Sequence, residues 1–263
     1  MTTPIDPVPV APGEWPIIFY IPHADDDLLF MWLIIIHHIF AGRWVIIVLC
    51  SDGSTSRVRL TLNGETSSGY WPGGWHYPDR EGIPYLDPEA FARARDREFV
   101  AGVKAMGVRE EDIHLERDTR GPTLNVDQAK ERILRFAAQY PKAGHYTMWW
   151  GDQDPTHRAL GEALRQLATS PDPATRLSDC RWIVRRTEGP TAPGAVQYTV
   201  PADVRQKAHH LALAAIEAYR SFVPDLEPDP EKNRGRYACG PHGVPADFAA
   251  VEANGPVWIV KNP

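Results

Sequence analysis

Cysteine is scarce: Cys50, Cys180 and Cys239 lie far apart in 263 residues and form no CxxC pair. That spacing supports neither a disulfide framework nor a thiolate zinc site, and it fits a reducing cytoplasm. Basic charge is also in deficit. The 28 Lys and Arg residues face 34 Asp and Glu, a formal charge of −6 with no long basic run. A surface built for nucleic acid or an anionic membrane is therefore not expected. The opening MTTPIDPVPVAPGEWP has neither a positive end nor an apolar stretch, so no secretory signal is expected. The apolar run from Leu28 to Phe40 contains His37 and His38 and falls short of the roughly 20 residues needed to cross a bilayer. A buried helix is the expected outcome.

What is present is an ordinary globular composition, 43% hydrophobic and 24% charged, enough for a sizeable core. Residues 17–22, IIFYIP, read as a buried strand, and Asp25–Asp27 as the N-cap and first-turn acids of a helix reaching Phe40. Residues 44–50, WVIIVLC, form a second buried strand, completing a βαβ unit. The stretch 51–88 is rich in Gly, Ser, Pro and aromatics and has little periodicity, as in an insertion or lid loop. Further helices are expected over 88–106, 126–139, 157–168 and 203–219. Further strands are expected at 113–116, 146–150, 182–186, 196–200 and 257–260. The expected fold is therefore a single α/β domain over 1–263. Its mostly parallel, Rossmann-like sheet is flanked by helices, with the aromatic-rich insertion after the second strand.

Two turns carry candidate chemistry. Ile21-Pro22-His23-Ala24-Asp25-Asp26-Asp27 sits where the first strand ends and a helix begins, the ligand-binding end of a parallel sheet. An imidazole with carboxylates suits a borderline metal such as zinc. His23 and Asp26 can point to one centre, while Asp25 can face water at that metal and take its proton. The bland reading is that the aspartates cap the helix. YTMWWGDQDPTHRALGEAL repeats the arrangement, with His157 opening a helix after another strand. Capping is again the plain alternative, yet two such turns, both beside carboxylates, point to a shared metal. No GxGxxG follows the first strand, and acids would stand where a pyrophosphate must sit, which disfavours a nucleotide-binding enzyme.

In order, PHADDD and DPTHRALGEAL resemble the motifs of the LmbE-like or PIG-L family of zinc-dependent N-deacetylases (GlcNAc-PI de-N-acetylase-like), PHPDDE-like first and HPDHRAxG-like later. The resemblance implies a Rossmann-like fold and hydrolysis of N-acetyl groups, commonly on glucosamine-containing substrates. It makes His23, Asp26 and His157 the ligands of Zn2+, or of another divalent metal, and Asp25 the general base. VLCSDGSTS lies where the family often has a TxGE-like turn. ARDREFVAGVKAMGV resembles its R-x-x-E helix, giving Arg95 and Glu98 those places. Ala24 and Asp27 replace the usual Pro and Glu. Asp154 and Thr156 stand where the family often has His and Asp, so the upstream His of the pattern is missing, and Asp154 or a histidine from elsewhere is expected to substitute.

His242, in CGPHGVP, is a candidate second acid, with an ordinary loop histidine as its alternative. Tyr70, Trp71, Trp75, His76 and Tyr77, with Trp149 and Trp150, offer an aromatic wall for a sugar face or a larger acceptor. The alternatives are a self-packed flap and core packing. Arg95, Trp71 and Trp150 are thus the expected substrate contacts. His37, His38, His114, His145, His209 and His210 are expected outside the site. The expected partner is a small N-acylated molecule, sugar-containing and in the line of natural-product biosynthesis. Hydrolysis of another amide or an ester at the same metal is an alternative, as is a non-catalytic α/β binding protein whose acids and histidines are caps.

Overall fold

In a computed structural model, which describes residues 15–71, 73–223 and 236–261, the sheet is organised around strand β1 (Ile17–Ile21). All five of its residues are buried, as a strand covered on both faces requires. Ile17, Phe19 and Ile21 belong to one core cluster and Ile18 and Tyr20 to the other, the alternation that pleating imposes.

The chain continues through α1 (Asp26–Leu29), α2 (Trp32–Phe40), β2 (Val45–Leu49), α3 (Val58–Leu62), α4 (Pro78–Glu81) and α5 (Pro88–Ala105). Next come β3 (Ile113–His114), α6 (Val126–Gln139), β4 (Gly144–Met148), α7 (Pro155–Ala168), β5 (Cys180–Val184) and β6 (Ala195–Gln197). The described remainder is α8 (Ala202–Arg220), β7 (Phe222–Val223), β8 (Arg236–Tyr237), α9 (Cys239–Gly243), α10 (Pro245–Glu252) and β9 (Trp258–Lys261). The main sheet has the order β3-β2-β1-β4-β5-β9-β6. Strands β1 to β5 run parallel, and β9 runs antiparallel to both β5 and β6. Helices α2, α5, α8 and α10 supply one core cluster, and α6 and α7 the other. The expected mostly parallel α/β sheet is what forms.

Strand order reverses between β1 and β4, since β1 leads out to β2 while β4 leads the other way to β5. Such a switch point opens a crevice at the carboxyl ends of the two strands. The His23 and His157 turns follow these two strands.

Local departures have physical reasons. The helix expected from Asp25 to Phe40 is broken at Phe30 and Met31. Its residues are apolar on every side, so no periodic stripe betrays the break, and packing decides it. The strand expected at 146–150 lies two residues earlier. Trp149 donates its amide to Ile183 O at 2.9 Å and then leaves the ladder. Trp149 and Trp150 therefore do not alternate across the sheet. Part of the 51–88 insertion is ordered as α3 and α4 around a small core of Leu62, Ile83, Leu86, Phe91 and Tyr237. Helices α9 and α10, rich in Gly, Pro and Ala, have no stripe that sequence reading could find. Residues 1–14 of the opening segment, read above as no secretory signal, lie outside the described residues. Among the described residues no helix is long and apolar enough to cross a membrane.

Candidate metal centre and active-site cleft

Asp25 stands at the N-cap of α1, yet its side chain makes no capping bond. The carboxylate turns instead to Arg95 Nη2 at 2.8 Å. Asp26 accepts from the His23 amide at 2.9 Å, and the same Oδ2 lies 3.0 Å from His157 Nε2 and 3.3 Å from His23 Nδ1. The two imidazoles face each other, His23 Nδ1 to His157 Nε2, at 3.1 Å. One donor atom from each of His23, Asp26 and His157 therefore lies within 4.8 Å of the other two. The capping alternative fails for Asp25 and Asp26. It holds for Asp154, which caps α7 by accepting from the amides of Thr156 and His157 at 2.8 and 3.2 Å. That cap aims His157 into the crevice.

The donor set suits a divalent metal. His157 donates Nδ1–H to Asp152 Oδ2 at 3.0 Å, so Nε2 is the nitrogen turned to Asp26 and His23, and the one on which a metal would replace a proton. Burial opposes charge on His157, but Asp26 and Asp152 outweigh it and raise its pKa to about 10. Burial likewise opposes charge on Asp26, and His157 with His23 outweighs it, holding the acid well below the ordinary carboxylate range. A buried imidazolium wedged between two carboxylates occupies the position that a divalent cation would take.

Around this centre lies a cleft of about 220 Å³. Leu29, Phe30, Val58, Phe91 and Val244 give it apolar walls, and Asp52, Asp154, Arg185 and Asp247 give it polar ones. A larger groove of about 920 Å³ between α5, β3 and α8 is lined by no histidine, so the chemistry belongs to the smaller cleft.

The expected residues do not all gather there. Arg95 lines the cleft, but its guanidinium is engaged by Asp25 and, at 3.4 Å, by Glu98. Glu98 in turn accepts from the amides of Tyr237 and Cys239, so the R-x-x-E pair ties α5 to both the base and the far wall. Trp150 packs edge-on against Trp182 at 5.1 Å, and Trp71 stacks on His76 at 4.2 Å; neither lines the cleft. His242 also stands outside it, with Nδ1 donating to Ala238 O at 2.7 Å and Nε2 facing His76 Nε2 at 2.6 Å. The histidines set aside lie elsewhere: His145 pairs with Tyr20, His37 with Tyr198, and His209 with Val251 O.

Sequence reading missed Asp152, Arg185, Asp247 and the wall around Gly240. The signal for Asp152 was present, a second carboxylate in the turn five residues before His157. Arg185, which donates to Asp152 at 3.0 Å, directly follows the end of β5, one strand beyond β4. Such a strand-end position could have marked it. Nothing comparable marks Asp247.

The family model described as PIG-L, GlcNAc-PI de-N-acetylase, matches residues 18–168. No curated protein matches the sequence. Among solved structures, the deacetylase of teicoplanin biosynthesis in complex with teicoplanin superposes with a TM-score of 0.54 at 12% identity, covering 94% of this chain and 99% of that one. The A40926 pseudoaglycone deacetylase Dbv21 gives 0.51 at 14% identity, covering 95% and 99%. The N,N'-diacetylchitobiose deacetylase from Pyrococcus horikoshii gives 0.47 at 17% identity, covering 80% and 72%. The first two likenesses establish a shared fold across nearly the whole of each chain.

Proposed function

The chain belongs to the PIG-L family of GlcNAc-PI de-N-acetylases, and from that premise we propose that it is a zinc-dependent hydrolase. It removes an N-acyl group, acetyl first among them, from an amino sugar or a glycosylated secondary metabolite. The observation that carries this reading is the convergence of His23, Asp26 and His157 from two turns, with the Asp25 carboxylate held beside them by Arg95.

His23 Nδ1, His157 Nε2 and Asp26 Oδ2 would hold the ion, and Zn2+ fits two imidazoles and a carboxylate. Bound there, it supplies Lewis acidity that polarises an acyl carbonyl and eases deprotonation of water. Asp25 has one carboxylate oxygen fixed by Arg95, and the other is assigned to receive the proton of the attacking water. As water oxygen joins the acyl carbon and the C–N bond breaks, that proton passes from Asp25 to the departing nitrogen. The products are a carboxylic acid and an amine. Arg95 is therefore assigned to position Asp25 rather than to bind substrate. Asp154 serves by capping the turn that presents His157, and its outer oxygen is left to the cleft. His242, engaged at both ring nitrogens, is given no step.

The acceptor is proposed to extend past the cleft, which is too small for a bulky glycoside. Support comes from the exposed aromatics Trp75, Tyr77 and Tyr85 of the insertion, and from the two similar structures above, one a deacetylase in complex with teicoplanin and the other named for the A40926 pseudoaglycone. The test is acetate release from a panel of N-acetylated amino sugars and acylated glycopeptides, run with chelator-stripped and zinc-restored protein. Release that vanishes on stripping and returns with zinc supports the reading. Metal-free protein that hydrolyses as fast, or zinc-loaded protein inert toward every N-acyl sugar, would overturn it.

A further inference from the structure

Five carboxylates line the metal-bearing cleft: Asp25, Asp26, Asp52, Asp154 and Asp247. The first four are already served by donors of the protein. Asp25 accepts from Arg95, Asp26 from the His23 amide, Asp52 from the Ser54 amide at 2.8 Å, and Asp154 from the amides of Thr156 and His157. Asp247 is different. Among the described residues no hydrogen bond reaches its carboxylate, and its ion pair is loose, Oδ1 to Arg186 Nη2 at 3.7 Å. It stands in the first turn of α10 without capping that helix.

The position of Asp247 is nonetheless fixed. Arg186 Nη2 donates to its backbone carbonyl at 3.2 Å, and Arg186 Nη1 to Leu29 O, at the end of α1, at 3.5 Å. The guanidinium thus straps the first turn of α10 to the helix that carries Asp26, and directs its donors to carbonyls. Burial pushes the Asp247 pKa up, Arg186 and Arg185 counter it only in part, and the charges of Asp25 and Asp26 add to the rise. A partly buried carboxylate short of donors is costly, and a donor bearing positive charge relieves it best. An N-acyl substrate brings one. A secondary amide has an N–H, and its nitrogen is positively charged from the moment it takes the proton of Asp25. That charge lasts until the C–N bond breaks and its electron pair returns to nitrogen. The cleft measures about 220 Å³, below the roughly 300–1,000 Å³ of sites that enclose drug-sized ligands, so a group seated at the metal ligands is within reach of every wall.

Resting on the hydrolase reading above, we propose that Asp247 is a further catalytic and specificity-determining residue. Its carboxylate accepts the N–H of the scissile amide and stabilises the charge that develops on that nitrogen. The contact selects the leaving group. A secondary amide presents a donor to Asp247, whereas the ester of the same acyl group presents an oxygen lone pair, which a carboxylate repels. Asp247 neither gains nor loses a proton in this role, and the proton of the attacking water still travels through Asp25.

The test uses the zinc-loaded full chain and two coumarin probes that differ only in NH against O, 7-acetamido-4-methylcoumarin and 7-acetoxy-4-methylcoumarin. Release of the fluorescent coumarin is the readout. Asp247→Asn keeps the size of the side chain and removes its charge. It is expected to lower kcat/KM for the amide by about 10- to 100-fold, the weight of a hydrogen bond to a charged group, and to leave the ester nearly unchanged. Equal loss on both probes, as a structural role through Arg186 would give, or no loss on either, overturns the proposal. A second measurement needs no turnover: calorimetric titration of zinc-loaded wild type with D-glucosamine and with D-glucose. Tighter binding of the amine, with the preference lost in Asp247→Asn, supports the contact; equal binding of the two sugars by wild type refutes it. Where wild type hydrolyses neither probe, this comparison decides. A chain inert toward every acyl substrate would thus lose the hydrolase reading while the contact of Asp247 with nitrogen is still judged by binding.

Discussion

The Asp152 carboxylate lies 3.0 Å from Nδ1 of His157 and accepts Arg185 Nε on the same oxygen, also at 3.0 Å. This arrangement sets which nitrogen of His157 is free to bind a metal and holds the ring in place. Replacing Asp152 by Asn keeps the shape but loses the charge. Zinc affinity is expected to fall about 10- to 100-fold, with little change in turnover once zinc saturates. Chelator competition measures the first quantity and kcat at saturating zinc the second. Unchanged affinity would mean that Asp152 is merely a buried partner of Arg185.

Asp25 and Asp26 are neighbours with different assignments. Asp25→Asn should retain zinc and lower kcat by about 10²- to 10⁴-fold, the usual contribution of a general base. Asp26→Ala should lose the metal. Parallel metal analysis and single-substrate kinetics separate them, and equal metal loss in both would contradict the division. Arg95→Met should act through Asp25, lowering kcat while leaving KM nearly unchanged.

The metal-free protein should show a pH dependence of determinate sign. The His157 pKa is raised from 6.5 to about 10 in the folded chain. Its stabilising contribution is therefore complete below about pH 6.5 and is lost as pH climbs towards 10. Thermal unfolding of chelator-treated protein is expected to weaken across that window, and more steeply than in His157→Gln. Zinc competes with the same proton, so its affinity should rise as pH increases from 7 to 10. Unfolding curves of wild type and variant that run parallel with pH would sink the assignment.

The centre was legible because HADDD and DPTHRALG both begin at strand ends, and strand ends at a switch point are where ligands bind in this fold. Asp25 and Asp26 nonetheless read equally well as caps. Only the pairing of Asp25 with Arg95, 70 positions away, and of Asp26 with His157 removed that ambiguity. Such pairings depend on how α5 and α7 pack, which no local pattern encodes. The same holds for the far wall: Gly240, Gly243 and Asp247 come from short helices with no apolar period. Trp71 and Trp150 were read as substrate contacts because an aromatic beside a functional turn looks the same whether it meets a substrate or another ring, and here each packs on a ring outside the cleft lining. His76 was grouped with its aromatic neighbours, and its histidine partner, 166 positions on, was considered only as an acid.

The glycine of HRALG supplies a last prediction. Gly161 lies on the face of α7 that touches the end of β4. A Cβ there would meet Trp150 N at 2.5 Å, Met148 O at 2.6 Å and Trp149 C at 2.7 Å. All three are backbone atoms, which cannot swing aside as a side chain can. Ala favours a helix over Gly by about 1 kcal/mol, yet Gly161→Ala forces α7 off the sheet, with a net loss expected at about 1–3 kcal/mol. His157 sits one turn earlier on the same helix, so that displacement also moves a ligand atom, and zinc affinity should fall together with Tm. Glu162→Ala is the control, since it alters the neighbouring position but removes only the Arg165 ion pair and the Gln166 hydrogen bond at the helix surface. A Gly161→Ala protein as stable as wild type, with undiminished zinc affinity, would show that the helix does not depend on this close approach to hold His157.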